Sequence, residues 1–77
     1  MEERIKKVMS AVFELPLVEI NKESSSDNIE NWDSLKHMNL VVALEEEFEI
    51  QFDDEEIGEM MNYELILNII KSKRIAD

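Results

Sequence analysis

Apolar residues recur along the chain with a helical period and are separated by one long polar stretch. Ile5, Val8, Met9, Val12 and Phe13 follow the i, i+3, i+4, i+7, i+8 spacing of one helix face, which predicts a helix over residues 3–14. Leu15-Pro16 stops it, because the residue before a proline is pushed out of the helical region. Residues 15–33 form a long connection. Val18, Ile20, Ile29 and Trp32 are apolar anchors within it, and Ser24 to Asn28 has turn chemistry. A connection of that length in a compact domain is usually functional or well packed. The spaced anchors predict packing against the core.

A second helix is predicted over residues 34–49, with Asp33 or Ser34 as its cap. Asp33 also suits the positive end of the helix dipole. At roughly 100° per residue this helix carries two apolar sectors. Leu40, Val41, Leu44 and Phe48 make one, and Leu35, Met38 and Val42 the other. Lys36, Asn39, Ala43, Glu46 and Glu47 fill the polar sector between them. One stripe suffices to face a core, so the second either touches the long connection or offers a partner surface. Ile50-Gln51-Phe52 is a short link. Asp53 to Met60 reads as a short third helix with a capping box of Asp53 and Glu56, Ile57 inward, and Gly58 weakening it. Residues 62–74 are predicted as the last helix. Asn62 caps it, Leu65, Ile66, Ile69 and Ile70 form its apolar face, and Lys71, Lys73 and Arg74 lie near its C-terminal end. The expected fold is all-α, a small four-helix bundle in one domain over residues 1–77.

Size and charge narrow the function. A chain of 77 residues buries roughly 60–65% of its unfolded surface, enough for one core but little support for a deep active site. Stability of about 4–10 kcal/mol follows from the per-residue rule. Nineteen acidic against eight basic side chains give a charge of −11, which repels nucleic acid and anionic membranes. Basic protein surfaces are the natural partners, and attraction to them speeds encounter; a simple solubility coat is the bland alternative. No cysteine is present, so the chain has no disulfide and no thiol of its own. The opening residues are charged and amphipathic rather than a signal peptide, and no apolar run is long enough for a bilayer. A soluble, cytoplasmic monomer is expected.

Three chemistries are open to these residues. Glu45-Glu46-Glu47 and Asp53 to Glu56 are acidic but lack the alternating ligands and central glycine of an EF-hand loop, so no metal site is expected. Asp33, Ser34 and His37 supply the residue types of a triad. They crowd one helical turn, however, and no glycine-rich turn offers an oxyanion hole. His37 is expected to face solvent or a partner. The third chemistry is covalent attachment. A phosphodiester on Ser34 would lie in the field of a helix N-terminus, beside the apolar edge of Leu35, Met38 and Val42.

Asp33-Ser34-Leu35, followed by Val42 to Ile50 with its Glu45-Glu46-Glu47-Phe48 core, resembles the acyl carrier protein family. The approach Asn28 to Trp32, the acidic start of the short third helix and the apolar last helix extend the resemblance over nearly the whole chain. It implies a right-handed four-helix bundle and a 4′-phosphopantetheine arm on Ser34, installed from coenzyme A by a phosphopantetheinyl transferase that recognises Asp33. The arm's thiol would hold acyl or aminoacyl groups as thioesters, and the chain itself would not be an enzyme. Acyl-loading and acyl-processing enzymes with basic patches would dock on Leu35, Lys36, Met38, Val42, Glu46 and Glu47. Fatty-acid carriers usually have acidic residues two and five places after the serine, where this chain has Lys36 and Asn39. They also commonly have a glycine and a small or aliphatic residue where this chain has Asn31-Trp32. These departures point to a specialised pathway (polyketide, nonribosomal peptide, or modified sugar or lipid). The alternative is an unmodified acidic helical interaction module.

Overall fold

The computed structural model describes residues 1–73. Four helices follow one another: α1 (Glu2–Phe13), α2 (Ser34–Phe48), α3 (Asp54–Glu59) and α4 (Tyr63–Lys73). A single 3₁₀ turn, Leu17–Glu19, interrupts the connection between α1 and α2. The expected all-α four-helix bundle is therefore observed. Arg74, expected at the end of α4, lies outside the described residues.

The first two helices end one residue earlier than the apolar pattern suggests, for the same reason. Glu14 and Glu49 adopt left-handed backbone conformations, with φ of 57° and 56°. Each turns its N–H back onto the helix, Glu14 to Ser10 O and Glu49 to Glu45 O. Glycine normally takes this capping position; Leu15-Pro16 marked the first stop to within one residue, while nothing marked the second. The short helix α3 has the expected capping box: Asp53 Oδ1 accepts from Glu56 N–H at 2.8 Å, and Glu56 Oε1 accepts from Asp53 N–H at 3.0 Å. Asn62 caps α4 by accepting from Leu65 N–H at 2.8 Å.

One apolar face from each long helix meets in the core. Ile5, Met9 and Phe13 of α1 pack with Leu40, Val41, Leu44 and Phe48 of α2 and with Tyr63, Ile66 and Ile70 of α4. Met60 supplies the buried residue at the end of α3, while Ile57 is only partly covered. Of the apolar face expected on α4, Leu65 is exposed, and Tyr63 takes a buried place that the periodicity did not assign. Tyr63 Oη donates to Glu2 Oε1 at 3.2 Å, joining α4 to α1. Burial first, and then the Glu2 carboxylate, push the Tyr63 phenol up to about 12.

The long connection is packed, as expected, through Ile20, Ile29 and Trp32. Val18 is the correction: it is 89% exposed, because the 3₁₀ turn carries it outward on the chain's surface. Side-chain oxygens organise the remainder. Ser24 Oγ accepts from Asn21 N–H, Asn28 Oδ1 from Ser25 N–H, and Ser25 Oγ from Asp27 N–H. Ser26 N–H donates to Met61 O and Tyr63 N–H to Ser24 O, each at 2.9 Å, which fastens the connection to the α3–α4 junction. Asn31 Nδ2 donates to Phe13 O at 2.8 Å and holds its other end against α1.

Candidate functional site

Asp33, rather than Ser34, caps α2. Its extended backbone turns the carboxylate onto Lys36 N–H at 2.8 Å, while its carbonyl accepts from His37 N–H at 2.8 Å. Ser34 therefore occupies the first helical position. It is exposed, and its hydroxyl makes no hydrogen bond among the described residues. The N–H groups of Ser34 and Leu35 also find no partner there, as expected for donors in a first helical turn. Together the hydroxyl and two outward N–H groups sit at the positive end of a helix of 15 residues.

An open groove of about 490 Å³ adjoins this point, lined by Trp32, Asp33, Ser34, His37, Met38 and Met61. Trp32 is held firmly. Its ring lies 4.7 Å from that of Phe13, and its indole Nε1–H donates to His37 Nδ1 at 2.9 Å. His37 does not face solvent or a partner as expected. It is half-buried, and its Nε2 lies 2.8 Å from Ile57 O in the last turn of α3. Because an indole nitrogen only donates, Nδ1 must accept, and Nε2 carries the proton given to Ile57. Met61 was not foreseen as a groove residue. It lies just before the Asn62 cap, outside every periodic face, and only its place one residue ahead of a helix cap signals apolar packing.

The residues expected at a docking surface separate into two groups. Leu35, Met38 and Val42 are exposed on one row of α2, and helical spacing adds exposed Glu46 to that row. This second apolar stripe does not bury itself beneath the long connection. Lys36 and Glu47 instead turn toward α1. Lys36 Nζ is 3.5 Å from Glu14 Oε1, and Arg4 Nε donates to Glu47 Oε2 at 2.8 Å. Asp33, Ser34 and Met38 of the apolar row are thus brought together around the groove, while Lys36 and Glu47 are engaged elsewhere.

An exposed hydroxyl at a helix mouth, an adjoining groove and an apolar row ending in an acid lie side by side on a small all-α bundle. Among the described residues, no cluster of metal ligands accompanies it, and no helix is long and apolar enough to cross a membrane. Acyl carrier proteins of Buchnera aphidicola subsp. Acyrthosiphon pisum, from strains 5A, Tuc7 and APS, are each 32% identical to the chain over 75 residues. The match spans 97% of this chain and 94% of each relative. No family model matches the chain. On this identity and coverage, the chain belongs to the acyl carrier protein family.

Proposed function

We propose that the chain carries acyl or aminoacyl groups on a 4′-phosphopantetheine arm attached to Ser34, in a specialised pathway rather than housekeeping fatty-acid synthesis. The observation that carries this reading is the division of labour at the head of α2. Asp33 takes over capping, and Ser34 is left exposed with a hydroxyl that is unbonded among the described residues. The residues fit the group. The Ser34 and Leu35 N–H groups and the helix dipole favour a phosphodiester on the serine oxygen, and the groove beyond it has room for a flexible arm. When bound, the group supplies a thiol that the cysteine-free chain lacks and holds its cargo as a thioester.

The chain's residues do the rest. Asp33 holds the site in shape and offers a carboxylate to the phosphopantetheinyl transferase. Leu35, Met38 and Val42 present apolar contacts to acyl-loading and acyl-processing enzymes, and Glu46 aims a negative charge at their basic patches. Lys36 and Asn39 make this surface less acidic than a fatty-acid carrier's, which supports a specialised set of partners.

Incubation with coenzyme A and a promiscuous transferase tests the attachment. The intact mass is expected to rise by one phosphopantetheinyl group, and Ser34→Ala is expected to prevent it. An unchanged wild-type mass across several transferases would overturn the reading and leave an unmodified acidic interaction module. The acyl groups found on Ser34 in the native host would then identify the pathway.

A further inference from the structure

His37 is the only histidine in the chain and Trp32 the only tryptophan, and the two are bonded to each other beside Ser34. The imidazole reaches in two directions. It accepts from the Trp32 indole at 2.9 Å and contacts Ile57 O at 2.8 Å, so it joins the end of the long connection, α2 and α3 in a single line. His37 also lines the groove next to Ser34, so its bond to α3 forms part of the groove's wall.

Few other ties hold α3 in place. It has six residues, Ile57 is only partly covered, and the chain around Gly58 is open, with nothing within 4 Å of where a Cβ would stand. Buried Met60 and the ion pair of Lys73 Nζ with Glu56 Oε1 at 2.8 Å anchor its far side. On the side toward α2, His37 supplies the polar tie among the described residues. This pattern is available only to a neutral ring protonated at Nε2. An imidazolium would set a second N–H against the Trp32 N–H, and the indole bond would be lost.

We propose that His37 is a specificity-determining latch that closes the seam between α2 and α3, so that cargo tethered at Ser34 stays in the open groove among Trp32, Met38 and Met61. This rests on the proposed attachment at Ser34. His37 acts as a positioning residue through Trp32 and Ile57. Cargo able to satisfy the shallow, partly polar groove is favoured over long alkyl chains that need the interior between the helices.

The ionisable groups on the elements packed around the ring bear on its protonation. Asp33 lines the same groove, its carboxylate engaged by Lys36 N–H. Lys36, on the ring's own helix, is paired with Glu14 of the α1 end. On α3, Glu56 is paired with Lys73, and Glu59 is exposed two places beyond Ile57. Met61 at the α3–α4 junction adds no charge. Asp33 and Glu59 are thus the neighbouring acids without a salt bridge among the described residues.

Heteronuclear NMR on the unmodified chain tests the latch first. The His37 ring is expected as the Nε2–H tautomer, with slow exchange of the Trp32 indole N–H. Acidification that protonates the ring should lower the protection of that N–H, measured against a free tryptophan indole at the same pH, by about fivefold or more, the factor for one ordinary hydrogen bond. In His37→Gln, whose amide both accepts and donates, the slow exchange should persist without this pH response, and in His37→Leu it should be lost. Acetyl, octanoyl and dodecanoyl arms are then loaded from their coenzyme A esters. In wild type and His37→Gln, shifts should stay with Met38 and Met61 at every length. In His37→Leu, or in acidified wild type if that variant does not fold, the dodecanoyl arm should also shift Leu40, Leu44 and Ile57. Equal shifts of those three residues in wild type at neutral pH would overturn the latch alone, as would an unprotected indole in the unmodified chain. Failure of any arm to attach at Ser34 would overturn the proposal together with the reading beneath it.

Discussion

Arg4 grips the last turn of α2 through Glu47. Its Nε donates to Glu47 Oε2 at 2.8 Å, its Nη2 donates to Glu47 O at 2.6 Å, and the guanidinium lies 4.5 Å from the centre of the Phe48 ring. One side chain from the start of α1 thus neutralises an acid, satisfies a carbonyl at a helix C-terminus and covers a core aromatic. The ion pair is partly exposed, with side-chain accessibilities of 47% and 39%, so its Coulombic part is small.

The carbonyl bond and the cation–π contact raise the total, and Arg4→Ala is expected to cost about 1–1.5 kcal/mol in urea denaturation. Arg4→Lys should recover less than half of the loss, since an ammonium cannot reproduce the planar fork. Glu47→Lys should be similarly destabilising, whereas Glu46→Lys, on the free row, should stay within about 0.5 kcal/mol of wild type. Glu46→Lys is therefore the clean probe of docking. Loading by a transferase with a basic face should slow at low salt, and the difference should shrink at high salt. Equal slowing at both ionic strengths would remove Glu46 from the electrostatic surface.

The long connection offers a direct comparison of two apolar residues two places apart. Ile20 is 2% exposed and Val18 is 89% exposed. Ile20→Ala is expected to cost about 2–4 kcal/mol. Val18→Ser should remain within about 0.5 kcal/mol of wild type. Thermal melts of the two variants side by side check both numbers, and a large loss at Val18 would mean that the 3₁₀ turn packs more tightly than its exposure indicates.

That contrast also marks how far the sequence could be read. The helix faces were legible because Leu40, Val41, Leu44 and Phe48 repeat with the helical period, and burial follows that repeat directly. Ser34 was legible as the exposed hydroxyl at a helix mouth because a polar run gives way there to periodic apolar residues. Val18 was not, since a short turn has no period to show which way its side chains point. The end of α1 was marked to within a residue by Leu15-Pro16, whereas the left-handed cap at Glu49 was hidden because it is not the glycine usually found there. The role of His37 was hidden for a different reason. It depends on where the last turn of α3 comes to rest, and α3 is positioned by tertiary contacts that no local pattern contains.

Asp33 combines a structural and a proposed recognition role, and two substitutions separate them. Asp33→Ala removes the acceptor for Lys36 N–H and is expected to cost about 1 kcal/mol. Asp33→Asn retains a good capping oxygen and should change stability by only a few tenths of a kcal/mol. If the transferase reads the carboxylate's charge, both variants should be modified slowly, although only Asp33→Ala is less stable. Normal modification of Asp33→Asn would assign the residue to capping alone. Denaturation curves and time-resolved intact mass give the two readouts independently.

Tyr63 sets an alkaline limit on the fold. It is the only tyrosine in the chain, it is 2% exposed, and its hydroxyl donates to Glu2 across the α1–α4 contact. Burial and the neighbouring Glu2 carboxylate raise its phenol from the ordinary value of 10.0 to about 12. The folded chain therefore keeps this proton where the unfolded chain begins to release it. The associated stability is fully present below pH 10 and declines as the pH rises toward about 12. Lysine titration overlaps this range, so the measurement is the difference between wild type and Tyr63→Phe. The phenylalanine variant should be less stable at neutral pH by about 0.5–1.5 kcal/mol through loss of the Glu2 bond. Its stability should then fall less steeply than that of wild type across the alkaline window, so the two curves converge. Parallel curves would mean that the phenol ionises as readily in the folded chain as in the unfolded one, and that the Glu2–Tyr63 contact does not hold the proton in solution.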